Sequence, residues 1–404
     1  MLKKYLCMAL LVVTCIFLQA FTMDSATSLN VNQLNQFAIN LYQQSSNTSY
    51  AYKNMAISPF GISLVLEIIY SATSRVTQAE IGHVLGNEPQ NNTPYSLNDL
   101  ANTFVNSLGS GQFINANALW LQSDIQLKPN FVDQFKDADS GNFYFVDFLH
   151  NPDKASDQIN DWVKDKTKGF IPQLIDPGML DDQTKVVITN AIYFKGLWQN
   201  AFDKSFTEPD LFTLNNGQQI SVPMMSQDTS FDYDENSTWQ MISMPYKESS
   251  LAMVILLPKN KSDFSKDISS LNNNELMSLI EKATSNEIML SMPKFILHSA
   301  FDDLQQNLQS LGIKQIFSNN ADFSPMTDFK PLRVSQVIQK TYVAVDESGT
   351  VAAAATGAGM VGAAVVEEHK PLVLKINHPF LFMIYDTQTQ LILFIGNVWD
   401  PSVE

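Results

Sequence analysis

Apolar residues recur along this chain at two spacings, helical ones early and strand-like ones late. Leu34, Phe37, Ala38 and Leu41 fall on one face of a 3.6-residue turn. Ser58-Pro59 supplies an N-cap followed by proline at the first helical position. Ile62, Leu64, Leu66, Ile68 and Ile69 make the helix that follows apolar nearly all round, which predicts a central place in the core. Residues 153–168 read as an amphipathic helix ended by Gly169, and residues 302–311 as another ended by Gly312. The strand patterns are longer and more numerous. They cover 185–194, rich in β-branched and aromatic residues, then 251–257, 288–295, 332–345, 372–376, 380–385 and 391–395, with a turn at Asp386-Thr387. Helices first and strands later predict an α+β fold rather than a βαβ alternation. The absence of repeats, linkers or a composition break before residue 350 predicts one large domain.

The first twenty residues stand apart. Met1-Leu2-Lys3-Lys4 is a positive start, 6–18 is apolar except for Thr14, and Ala20 is a small residue at a cut. This pattern predicts a secretory signal peptide over 1–20 and a secreted, extracellular product. Cys7 and Cys15 both lie inside it, so the mature chain would carry no thiol, no disulfide and no thiolate metal site. Removing Lys3 and Lys4 leaves 23 basic against 41 acidic residues, a net charge of −18. That charge argues against nucleic acid and anionic membrane surfaces as partners. With 45% hydrophobic and 11% aromatic residues the chain can bury a large core, which excludes general disorder. The sequons at Asn47, Asn91, Asn236 and Asn260 matter only in a host that glycosylates.

Residues 347–370 break the pattern. Side chains there are small, Gly recurs, and nothing charged occurs between Ser348 and Val366. A loop of this length inside a compact chain is uncommon. Read for composition alone it is a surface linker. However, Thr350, Ala352, Ala354 and Thr356 alternate, so an extended chain would turn them all to one face. All are small enough to enter a sheet over a packed core. Alanine is a poor strand former, so such an insertion would be driven by completed hydrogen bonds and burial rather than by local propensity.

From about residue 30 onwards the chain resembles the serpin family. The resemblance is carried by 54–63 (Asn-Met-Ala-Ile-Ser-Pro-Phe-Gly-Ile-Ser), 159–163 with 167–169, 189–198 (Thr-Asn-Ala-Ile-Tyr-Phe-Lys-Gly-Leu-Trp) with Phe202, and 222–225. It continues through 292–295 (Met-Pro-Lys-Phe), 302–304 with 311–313, 346–355 (Asp-Glu-Ser-Gly-Thr-Val-Ala-Ala-Ala-Ala), 378–382, 394–396 and 400–401. It implies a single serpin domain over 27–404, with three β-sheets, about nine helices and an exposed reactive-centre loop over about 347–370 that can enter a sheet as a new strand.

In inhibitory members such a loop is bait: the protease cleaves it, is held as an acyl-enzyme, and is carried away as the loop inserts. The resemblance makes Glu347, Ser348, Gly349 and Thr350 the start of the hinge, with Val351, Ala352, Ala353, Ala354 and Ala355 the first inserted stretch. Lys294 is implied as partner of Glu347 at the breach where the sheet opens, with Trp198 packed beside it. Ser58, Pro59, Asn190 and Gln339 are implied as the shutter beneath the parting strands. Two residues depart from the family there, Gly61 where many members have Ser and Gln339 where most have His. Counting from Glu347 puts the reactive bond at Ala363–Ala364, with a shift to Ala364 or Val365 left open. Small aliphatic residues suit the pocket of an elastase-like or subtilisin-like serine protease, and no Lys or Arg for a trypsin-like pocket occurs between Ser348 and His369.

The chain is accordingly read as a monomeric protease inhibitor that uses no cofactor and is not an enzyme. Its five histidines belong to no Gly-x-Ser-x-Gly elbow, His-Glu-x-x-His motif or phosphate loop. A non-inhibitory binding or carrier protein on the same fold is the alternative, and the small-residue hinge weighs against it. Only Arg75 is basic near 75–105, so no heparin dependence is expected.

Overall fold

A computed structural model describes residues 25–47, 50–86, 113–133, 143–301, 304–350 and 371–403. The expected signal peptide over 1–20 lies outside them. The helices are α1 (Ser25–Ser46), α2 (Pro59–Ala72), α3 (Arg75–Leu85), α4 (Pro129–Asp133), α5 (Pro152–Lys166), α6 (Phe264–Ser270), α7 (Asn273–Lys282) and α8 (Gln305–Ser310). The strands are β1 (Met55–Ile57), β2 (Phe113–Gln122), β3 (Phe143–Val146), β4 (Val186–Phe194), β5 (Gly196–Leu197), β6 (Glu208–Thr213), β7 (Gln219–Glu235) and β8 (Trp239–Pro245). They continue with β9 (Leu251–Pro258), β10 (Thr284–Pro293), β11 (Phe295–Phe301), β12 (Gln336–Asp346), β13 (Gly349–Thr350), β14 (Leu372–Lys375), β15 (Phe380–Asp386) and β16 (Ile392–Val398).

Helix α2 starts where the Ser58 hydroxyl accepts from the Gly61 amide at 3.1 Å, with Pro59 behind it. It lies between β16 on one side and β2 and β4 on the other, so its nearly continuous apolar surface is buried all round. Strand β4 is likewise buried on both faces. Val186, Ile188, Ile192 and Phe194 enter the main core, while Val187 and Ala191 face the other way. That second face is covered by Ile159 and Val163 of α5, by Trp120, and by Leu174 and Ile175 of the segment that follows α5. A strand buried on two sides thus shows apolar residues at both odd and even positions, interrupted here only by Thr189 and Asn190, which are buried too.

The described residues form two hydrogen-bonded sheets where three were expected. One has seven strands in the order β3-β2-β4-β12-β13-β5, with β11 on the other edge of β12. The second has nine strands, β1-β16-β15-β9-β8-β7-β10-β14, with β6 on β7. The cause is the length of β7. Its start pairs with β6, its middle with β10 and its end with β8, so two halves that would otherwise count separately share one ladder. Eight α-helices and two 3-10 turns occur among the described residues, against about nine helices expected.

The strand expected over 288–295 is broken at Lys294. Pro293, without an N–H, ends β10 in the nine-stranded sheet, and Phe295 opens β11 in the seven-stranded one. Lys294 therefore sits at the crossing between the sheets, its amide held by the Pro223 carbonyl at 3.2 Å.

Ile159 is fully buried between α5 and the seven-stranded sheet. Ile159→Ala is expected to cost roughly 2–4 kcal/mol from lost transfer energy and the cavity left behind. It should appear as an earlier denaturant midpoint with unchanged slope; a cost below about 0.5 kcal/mol, the scale of a surface change, would mean α5 is not packed as described.

Candidate functional site

Strands β4 and β12 run parallel and in register from Val187 opposite Gln336 to Tyr193 opposite Tyr342. Above that pair they part. β4 continues into β5 after Lys195, and the space between β5 and β12 is filled by β13. Val345 pairs with Phe295 on one side and with Thr350 on the other, which puts β13 on the β4 side of β12. The chain thus turns back at Glu347-Ser348 and seats its next two residues in the sheet. Thr350 is fully buried, and its hydroxyl lies 2.8 Å from that of Tyr246. Burial pushes the Tyr246 phenol far above its ordinary range, with the Thr350 hydrogen bond only partly offsetting this. Gly349 has φ +151°, and a Cβ there would stand 2.0 Å from the Gly196 carbonyl oxygen. Only glycine fits a strand that approaches its neighbour so closely. Where the strands part, Phe170 stacks on Tyr193 with ring centroids 4.1 Å apart.

The turn that launches β13 is held by three elements. Glu347 is 4% exposed and accepts from Lys294 Nζ at 3.2 and 3.3 Å and from the Thr207 hydroxyl at 2.8 Å. Burial alone would raise its pKa. Hydrogen bonds from its own backbone amide, from Thr207 and from the Lys294 ammonium outweigh burial and hold the carboxyl below the usual glutamate range. The Trp198 indole donates to the Asp346 carbonyl at 3.0 Å, the Trp198 amide to the Ser348 carbonyl at 3.0 Å, and the Phe202 amide to the Glu347 carbonyl at 2.8 Å. The Trp198 ring stacks on Tyr246, centroids 4.8 Å apart.

Lower in the sheet, Asn117, Asn190 and Gln339 stand opposite one another across β2, β4 and β12. Asn190 donates to Asn115 and Asn117 and accepts from Gln339. Gln339 also accepts from the Ser58 amide and donates to the Ser58 carbonyl, both at 2.9 Å. The Ser58 hydroxyl donates to the Leu393 carbonyl at 2.8 Å. A Cβ on Gly61 would lie 2.7 Å from the Asn190 amide. The glycine thus lets Asn190 rest on the first turn of α2.

A family model described as "Serpin (serine protease inhibitor)" matches residues 32–401. The chain belongs to the serpin family. It is 36% identical over 375 residues to an uncharacterized serpin-like protein of Methanosarcina mazei, covering 91% of this chain and 86% of that one. It is 33% identical over 375 residues to a leukocyte elastase inhibitor of Bos taurus, covering 91% and 98%. The structure of a tumour suppressing serpin matches it with a TM-score of 0.82 at 27% identity, over 93% of this chain and 100% of the other.

In this serpin Glu347, Lys294, Trp198 and the start of the hinge through Thr350 come together, and so do Ser58, Pro59, Asn190 and Gln339. Val351 and Ala352 to Ala355, expected in the hinge, and Ala363, Ala364 and Val365, expected at the reactive bond, lie outside the described residues. Sequence reasoning missed Thr207, Tyr246 and the asparagines of β2. Gly196 lies in a stretch that resembles the family, but nothing in the sequence signals that its carbonyl comes against Gly349. For Tyr246 no signal existed, because its place under Thr350 depends on the bridge between Trp198 and Tyr246.

The Glu347 contacts carry a sign with pH. A carboxyl held below its ordinary value of 4.5 stabilises the turn into β13 fully above that pH, and the contribution is lost as pH falls through the depressed value. Glu347→Gln should therefore melt below wild type at neutral pH, and the gap should close on acidification below 4.5. A gap that does not vary with pH would show that the Glu347 charge has no part in holding the turn.

Proposed function

We propose that this serpin is a secreted, monomeric inhibitor of serine endopeptidases that acts as suicide bait. The observation that carries the reading is the seating of Gly349 and Thr350 between β5 and β12. The acceptor slot for a further strand is already entered by the residues that would lead it, and in an extended chain the sequence alternation would put the small Ala352 and Ala354 on the same face as Thr350. On attack, the protease serine oxygen bonds to the Ala363 carbonyl carbon. The Ala363–Ala364 amide breaks, and Ala364 leaves as a free amine with the transferred proton. The resulting ester ties the enzyme to the inserting segment. Insertion then competes with hydrolysis of that ester, and the outcome is set by how fast β4 and β12 separate. Such a native state is a kinetic trap.

Small residues around the bond favour elastase-like or subtilisin-like targets, and the likeness to a leukocyte elastase inhibitor supports that class. The segment 1–20 supports export.

Ala352→Arg would place a guanidinium on the face that insertion would bury, beyond the residues already seated, at a cost on the order of several kcal/mol to the inserted state. Wild type is expected to form an SDS-resistant complex with an elastase-like protease at near-equimolar stoichiometry and to release a fragment beginning at Ala364. The variant should instead be turned over as substrate. Wild-type stoichiometry in the variant, or rapid trapping of trypsin with elastase untouched, would overturn this reading.

A further inference from the structure

Strands β6 and β14 are separated in the sheet by β7 and β10, yet the sheet curls enough for Lys375 Nζ to reach Asp210 Oδ2 at 3.4 Å. The curl encloses a groove of about 680 Å³. Three large apolar residues of its lining are open to water, Phe206 at 63% exposed, Val373 at 56% and Met289 at 47%, over a floor that includes the buried Met224 and Leu290. Its charged lining is acidic, with Glu208, Asp210 and Asp228 against Lys375 alone, and Lys375 is already engaged by Asp210. The Gln227 amide also lines the groove, and its Nε2 has no acceptor. Large exposed apolar side chains gathered inside a charged rim mark an interaction surface.

We infer that this groove is an accessory docking surface for the target protease, and that it selects proteases carrying cationic and apolar residues beside the active-site cleft. The inference rests on the inhibitor reading and deepens it. Continuity with the bait identifies the occupant. Val373 follows Ala364 by nine residues, so the groove is tethered within roughly 30 Å of the proposed reactive bond. A protease domain of ordinary size is about 45 Å across, so an enzyme holding that bond can overlie the groove. Charge then decides which enzymes gain from it. An acidic rim accelerates encounter with a cationic partner and does nothing for an anionic one, and salt removes the difference.

The test compares inhibition rate constants for a cationic elastase-like protease and an anionic protease of the same primary specificity, over a range of ionic strength. The proteins are wild type, Glu208→Lys with Asp228→Lys, and Phe206→Ala; all three sites are exposed, so unchanged melting is the check on folding. Charge reversal is expected to slow the cationic enzyme about tenfold at low salt and flatten its salt dependence. Stoichiometry and the rate with the anionic enzyme should not fall. Phe206→Ala should slow capture of the cationic enzyme at every salt concentration. An unchanged rate and salt slope after charge reversal would overturn the groove proposal alone. So would a wild-type dimer, seen by sedimentation, that dissociates in Phe206→Ala, because the occupant would then be a second copy. Absence of an SDS-resistant complex with either enzyme for wild type would instead overturn the inhibitor reading, and the groove proposal with it.

Discussion

The ladder between β4 and β12 stops at Tyr193 and Tyr342, and the rest of the site is organised around that stop. Backbone groups above the pair would face an open seam, and unpaired buried amides and carbonyls are costly. β13 fills the top of the seam with two residues of the same chain. That solution needs a glycine at 349, because the strand comes against the Gly196 carbonyl, and a small polar residue at 350, because its hydroxyl meets Tyr246. It also needs a turn held rigidly enough to direct the chain inward, which Lys294, Thr207, Trp198 and Phe202 provide.

The polar row beneath the seam opposes opening in a different way. Asn117, Asn190 and Gln339 tie three adjacent strands to one another and to the start of α2. Separating β4 from β12 breaks the Gln339–Asn190 bond inside a dry core, where an unmade hydrogen bond costs the full desolvation of both groups. The two departures from the family pattern are compatible at this point. Gly61 leaves room for Asn190, and an amide at 339 both accepts from and donates to Ser58. Since glutamine does not titrate, this row holds with the same strength across the physiological pH range, unlike one built on histidine.

Much of this was legible in the sequence because it depends on local chemistry. The Ser58-Pro59 helix start and the β-branched and aromatic stretch that becomes β4 are patterns over a few residues. Family resemblance supplied the pairing of Lys294 with Glu347, which no local pattern could give across more than fifty residues. Three things stayed hidden, for one reason. The break at Lys294, the merging of strands through the long β7, and the place of Tyr246 under Thr350 are settled by where separate segments meet. Periodicity describes one segment at a time. The curl that brings Asp210 to Lys375 is of the same kind.

The central claim is that the slot above Tyr193 and Tyr342 is made to receive the loop beyond Thr350, and that the intact chain is trapped short of that state. The most direct measurement is the thermal midpoint of the protein before and after a single cut between Ala355 and Val366 by a protease that is not trapped. The account predicts a marked rise after cleavage, because the freed segment completes the sheet between β4 and β12. An equal or lower midpoint would contradict it and leave a fold that presents the loop without inserting it.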